Sequence, residues 1–237
     1  MNKVVAAGLV ALAAAANVNV AQAVDFNVRI VNLTNGIHYT PFLIAAHPEG
    51  TSLFTAGQPA SASLQAMAEG GDISMLVTDL NALSATVVED PAPGILAPGA
   101  SASADMNTDG TNNTRLSAVA MLLPTNDAFA GLNAVEIPTT PGTHVFNVPA
   151  YDAGTEANNE LLNTATGGMP GVAGIPGAPG MDAGTGGTGV AGTDANQMVH
   201  IHRNTLGDTD PAGGASDLDS TIHRWLNPVI RIIVTVN

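Results

Sequence analysis

The sequence predicts an all-β fold with short helical insertions, an antiparallel β-sandwich, on three observations. Both ends of the chain after residue 23 alternate apolar and polar residues with the two-residue period of a strand that buries one face. Two further apolar stretches, 116–123 and 143–148, each run into a proline, Pro124 and Pro149, as strands that stop abruptly do. Helical spacing occurs in two short segments between the first strand and these two, so helices decorate a sheet framework rather than alternate with its strands.

Residues 1–23 have the form of a cleavable signal peptide. Lys3 gives a positive start, Val4 to Ala16 is an almost unbroken apolar run, and Ala21-Gln22-Ala23 is a small-x-small cleavage site. The run is shorter than the ~20 residues a bilayer span needs, and no basic stop-transfer cluster follows it. Cleavage after Ala23 leaves about 214 residues, enough for one β-rich domain over 24–237 carrying a long loop.

The elements follow in order. Phe26 to Ile30 forms the first strand. Pro59 to Glu69 reads as a helix, with Leu64, Met67 and Ala68 on one face and Gly70-Gly71 as its stop. Asp72 can cap a second helix, whose stripe is Ile73, Leu76, Val77 and Leu80. The last strand follows Pro228, with Ile230, Ile232, Val234 and Val236 on one face and Arg231 and Thr235 on the other. Two such strands at the termini predict a sheet closed by the first and last segments. Residues 164–196 differ from the rest: five Gly-X-Y triplets begin at Gly168 and then lapse into Gly, Thr and Ala. So short a run between two parts of one domain predicts a flexible loop insertion rather than a collagen triple helix.

Composition excludes several functions. Six Lys plus Arg face twenty Asp plus Glu, a formal net charge of −14, and nucleic acid recognition needs clustered basic residues. The acidic balance suits a secreted protein or one that collects cations. No cysteine is present, so disulfides and thiolate metal sites are ruled out. No Gly-x-Ser-x-Gly elbow, phosphate loop or His-Glu-x-x-His occurs. Aromatic residues make up 3% of the chain, too few to build a large stacking pocket.

Two stretches carry the most chemistry, Pro124 to Gly131 and Tyr151 to Glu156. Each follows a predicted strand, so both read as loops, at one end of the sandwich. Asp152 and Glu156 lie four apart across Gly154, which lets the chain fold back and aim both carboxylates at one point. Asp127 would add a third hard oxygen donor for calcium, and the competing account is three solvated turn residues. Asp105 to Gly110 copies the first half of an EF-hand loop, but Leu116 stands where the bidentate Glu belongs, so it reads as a hairpin turn. His200 and His202, alternate residues on a strand, would present both imidazoles on one face, as in zinc or copper sites. Their blander account is an exposed strand face, and His38, His47 and His223 could join them only through folding.

Together these segments resemble the spondin domain, the module of the amino-terminal half of F-spondin and mindin that also occurs in bacterial secreted proteins. The residues that carry the resemblance are Pro124-Thr-Asn-Asp127-Ala-Phe129-Ala-Gly131 and Asp152-Ala-Gly-Thr-Glu156. With them go the strand Phe26 to Leu33, the helix end Leu64 to Gly70, and Trp225-Leu-Asn227-Pro228 before the last strand. The resemblance implies a C2-like β-sandwich holding one calcium through Asp127, Asp152 and Glu156. This chain departs from the family in having Glu156 where a second Asp is common and Phe129 where a tryptophan is common. It also lacks the disulfides of animal members.

The function expected is a secreted or periplasmic, non-catalytic, calcium-binding module for adhesion or for extracellular or periplasmic binding. Its partner would be an extracellular or periplasmic protein or glycan, with neither nucleic acid nor a membrane span involved. The alternative is a metal-dependent secreted enzyme or metal-binding protein, using zinc or copper on His200 and His202.

Overall fold

The computed structural model describes residues 24–162, 174–179, 196–210 and 214–237. The expected signal peptide and most of the Gly-X-Y run lie outside them. In chain order the strands are β1 (Asp25–Asn32), β2 (His38–Tyr39), β3 (Leu43–Pro48), β4 (Thr86–Glu89), β5 (Ser101–Asn107), β6 (Asn113–Leu123), β7 (Ala128–Glu136), β8 (Gly142–Val148), β9 (Ala150–Asp152), β10 (His200–Ile201) and β11 (Ile230–Val236). Helices α1 (Ala62–Gly70) and α2 (Ser74–Ala82) fall between β3 and β4.

Alternation at the two ends of the chain has the consequence expected. β1 and β11 pair antiparallel from Phe26 with Val236 to Asn32 with Ile230, at the centre of a four-stranded sheet ordered β5-β1-β11-β8. Ile230, Ile232, Val234 and Val236 point into the core, against Phe26, Val28 and Ile30. The second sheet is larger, ordered β10-β9-β7-β6-β3-β4, with β2 also pairing with β6. Its central strand β6 is buried on both faces. Leu116, Ala118, Ala120 and Leu122 join the core between the sheets, while Val119, Met121 and Leu123 join a second core beneath the helices. The molecule is therefore a two-sheet antiparallel sandwich with a helical layer outside the larger sheet.

Helix α1 starts at Ala62, three residues later than Pro59, because the Ser61 side chain accepts a hydrogen bond from the Leu64 N–H (3.1 Å) and sets the N-cap there. Gly71 ends it in the left-handed conformation at φ 69°, and its N–H returns to the Met67 carbonyl at 2.9 Å. Asp72 accepts from the Ser74 N–H at 2.9 Å from one residue ahead of the cap, while the N-cap position itself falls on Ile73, which makes no side-chain cap bond; α2 buries Leu76 and Leu80 against the same core. Two segments fold otherwise than their sequence suggests. The segment 105–110 is not a hairpin turn, since β5 belongs to the small sheet and β6 to the large one, and the turn crosses between them. Nor is 124–131 a loop throughout, because β7 begins at Ala128 and continues to Glu136. Its Ala, Gly and Asn content gives weak strand propensity, which pairing with β6 on one side and β9 on the other overrides.

Candidate functional site

β7, β9 and β10 lie side by side at one edge of the large sheet, and their register assembles the site. Ala128 pairs with Asp152, and Asp152 pairs with His200. Asp127, Asp152 and His200 thus converge from positions far apart in the chain. The Ala153 N–H bonds the Asp127 carbonyl at 3.2 Å, and Gly154 then turns the chain at φ 72°. That turn aims the next two amides at Asp127. Its Oδ2 accepts from the Thr155 N–H (2.8 Å), the Thr155 hydroxyl (3.2 Å) and the Glu156 N–H (3.1 Å).

The structure brings Asp127, Asp152 and Glu156 together, all buried, at 0%, 1% and 3% exposure. They are not equivalent. Asp127 Oδ1 and both Glu156 carboxylate oxygens are buried with no hydrogen-bond partner, where each uncompensated polar atom is costly. Burial, and then the charge of Asp152, raises the Asp127 carboxyl to about 7 despite the backbone N–H groups that favour its charged form. Burial, and then the charges of Glu69 and Asp127, raise Glu156 to about 8. Asp152 is committed elsewhere: Oδ1 accepts from the Gly154 N–H and Oδ2 from the Asn158 amide, each at 2.8 Å.

Both histidine rings do face one side, with the Nε2 atoms of His200 and His202 at 3.8 and 3.7 Å from Asp152 Oδ2. The exposed strand face is a poor description of His202, which is 5% exposed and packs against Trp225, the ring centroids 5.4 Å apart. Its hydrogen bonds fix its tautomer. The Asn204 N–H donates to Nδ1 at 3.0 Å, so Nε2 carries the proton and donates to the Asn158 Oδ1, also at 3.0 Å. A ring so arranged has no lone pair left for zinc or copper. It instead orients Asn158, whose amide holds Asp152. Burial also lowers the His202 pKa, so the ring stays neutral beside that carboxylate.

The cluster therefore offers a hard cation a mixed donor set. Asp127 and Glu156 offer buried, unpartnered oxygens of the type calcium takes, whereas Asp152 offers oxygens already in use. Among the described residues no group of three or more His, Asp or Glu side chains is drawn up to hold a metal as it stands. Glu69, from the last turn of α1 and 2% exposed, is the acid that sequence reasoning missed. Its one signal was its place just before Gly70-Gly71, where a helix end turns back toward the sheet.

A serine–histidine pair is also present, with Ser117 Oγ 2.8 Å from His47 Nε2 and His47 Nδ1 3.1 Å from the Pro48 carbonyl. Both side chains are fully buried, and Ser117 accepts from the Ala134 N–H at 2.8 Å where the β6–β7 register shifts. The hydroxyl repairs a bulge and has no face open to a substrate.

Sandwich and site together define a β-sandwich module whose edge loops are tied through buried carboxylates. The chain matches the Spondin_N family model over residues 29–170, more than half its length, and belongs to that family. A search of curated proteins returns no match. The matched segment contains Asp127, Asp152 and Glu156, while His200 and His202 lie beyond it. No helix among the described residues is long and apolar enough to cross a membrane.

Proposed function

We propose that this spondin-type module is exported, binds one calcium ion at the Asp127, Asp152 and Glu156 loops, and acts without catalysis as an adhesion or binding unit outside the cytoplasm. The observation that supports calcium is the set of three buried carboxylate oxygens without partners, on Asp127 and Glu156, in a cluster whose members repel one another. A divalent cation removes both the repulsion and the missing bonds. Asp127 and Glu156 would hold it, and Asp152 would either turn one oxygen inward or act from behind. Carbonyls and water would complete an oxygen shell. Bound there, the ion would supply structural cross-linking of the 127 and 152–156 segments. Export rests on the Lys3, Val4–Ala16 and Ala21-Gln22-Ala23 pattern.

Melting curves with and without calcium test the reading. For an extracellular-type site with a Kd of about 10⁻⁴–10⁻³ M, ten-fold excess calcium stabilises by ~1.4 kcal/mol. That corresponds to a rise in Tm of about 3–5 °C for a domain of this size. A Tm unmoved by 10 mM calcium, on protein first stripped with chelator, sinks the calcium reading. A rise produced by zinc or copper alone, and removed by His200→Ala, would favour the histidine alternative instead.

A further inference from the structure

Helix α1 covers the outer face of the larger sheet, and its last turn packs in the same core as the segments that carry the carboxylate cluster. Met67 and Ala68 are fully buried in the same core as Phe129 and Ala153, the residues that follow Asp127 and Asp152 by two and one positions. The next residue, Glu69, is therefore carried to the site by the packing of its own helix. Its carboxylate is held rather than loose, since the Gln65 amide one turn earlier donates to Oε1 at 2.8 Å. Gly71 then stops the helix and passes close to Thr40, where even a Cβ would meet Cγ2 at 2.5 Å. The helix end has no room to slide.

Two facts bring Glu69 within electrostatic reach of Glu156. It is buried at 2% exposure, which a Glu at a helix C-terminus, beside the negative end of the helix dipole, does not favour by itself. Its charge also acts on Glu156 more strongly than that of Asp127 does. The unpartnered Glu156 oxygens and Asp127 Oδ1 are the independent sign that something is to be bound at this cluster. We propose that Glu69 is a direct ligand of the same cation as Asp127 and Glu156, so that the ion clamps helix α1 to the two loops, while Asp152, held by Asn158 and Gly154, is a positioning residue beside it. The inference rests on the calcium reading above and changes its ligand set. It gives the ion three carboxylates from three separate elements, and makes the helical layer part of what calcium orders.

The test is calcium titration calorimetry on the purified protein, its Glu69→Gln and Glu69→Asp variants and Asp152→Asn, paired with amide hydrogen exchange over 62–70. Glu69→Gln keeps the Gln65 contact and the side-chain size, and is expected to weaken calcium at least ten-fold. Glu69→Asp, which keeps the charge and withdraws it by one methylene, weakens it less. Asp152→Asn binds closer to the unmodified protein. In the unmodified protein calcium slows exchange across the last turn of α1, and in Glu69→Gln that slowing disappears. Calcium binding by Glu69→Gln equal to that of the unmodified protein, with the same slowing of exchange, overturns the assignment and leaves the calcium reading standing. An unmodified protein that binds no calcium overturns both. If Glu69→Gln does not fold, the Glu69→Asp titration and the exchange of the unmodified protein decide the matter alone.

Discussion

At Asp127 two carboxylate oxygens of one side chain have opposite surroundings. Oδ2 collects three hydrogen bonds from Thr155 and Glu156, and Oδ1 collects none. Charge at this residue is therefore well supported on one side only, and Glu156 has no such support on either oxygen. The pH dependence follows from the sign of the shifts. Both carboxyls are raised above their ordinary values, to about 7 and about 8, so the folded, calcium-free protein holds protons that the unfolded chain has already lost. Stability from these groups is complete below about pH 4 and is lost as pH rises toward 8. Calcium-free protein is expected to melt at a lower temperature at pH 8 than at pH 5.5, and saturating calcium should shrink that difference. Differential scanning calorimetry at the two pH values reads it, and a calcium-free Tm that rises with pH would contradict it. Asp127→Asn should raise the calcium-free Tm at pH 8, because a buried charge is gone, and remove the gain from calcium.

The element that makes the site is the turn after β9. Gly154 sits at φ 72°, and a Cβ there would meet the Gln197 carbonyl carbon at 2.7 Å. The three nearest atoms are all backbone of 196–198, which leaves no relaxed geometry for alanine. Gly154→Ala should cost about 1–3 kcal/mol in urea denaturation. It should also weaken calcium, since the same turn aims the Thr155 and Glu156 amides. An unchanged midpoint would show that the turn is less constrained than its contacts indicate. The glycine was legible in the sequence as the hinge between two acids, but its neighbour Gln197 was not. Neither was the course of β7, whose Ala-Phe-Ala-Gly-Leu-Asn run carries no strand signal of its own and becomes a strand through its partners.

Across the whole molecule, two cores share β6, and a third, smaller cluster lies beside them. Leu162, Ile175 and Leu218 form it, and Leu162 bridges to Ile175 in parallel. Ile175 and Ala178 belong to the Gly-X-Y run, and they are 1% and 8% exposed. The expectation of a loose insertion over 164–196 therefore needs revision for residues 174–179, which pack on the domain, while the rest of the run lies outside the described residues. Ile175→Ala is expected to lower stability by about 2 kcal/mol, the lower end for a large-to-small change in a small cluster. Removal of 168–192 should destabilise at least as much, since it takes away Ile175 and Ala178 together. A deletion variant as stable as the full chain would return the whole run to the status of a linker.

By itself the sequence determined whatever depends on local period and local chemistry. Strand alternation at 26–30 and 230–236, helix stops at Gly70-Gly71, and a glycine between Asp152 and Glu156 all act within a few residues, where spacing alone sets the geometry. It also placed the three acids of the 127 and 152–156 segments in one neighbourhood, through their resemblance to a known module. Only the tertiary structure decided which carboxylate oxygens lack partners, because that depends on who arrives from elsewhere. Asn158 and Gly154 occupy Asp152, Asn204 consumes the lone pair of His202, and a helix far upstream of Glu156 brings the charge of a buried acid, Glu69, to bear on it. Hydrogen-bond satisfaction is a property of the folded neighbourhood, and no periodicity in the chain encodes it.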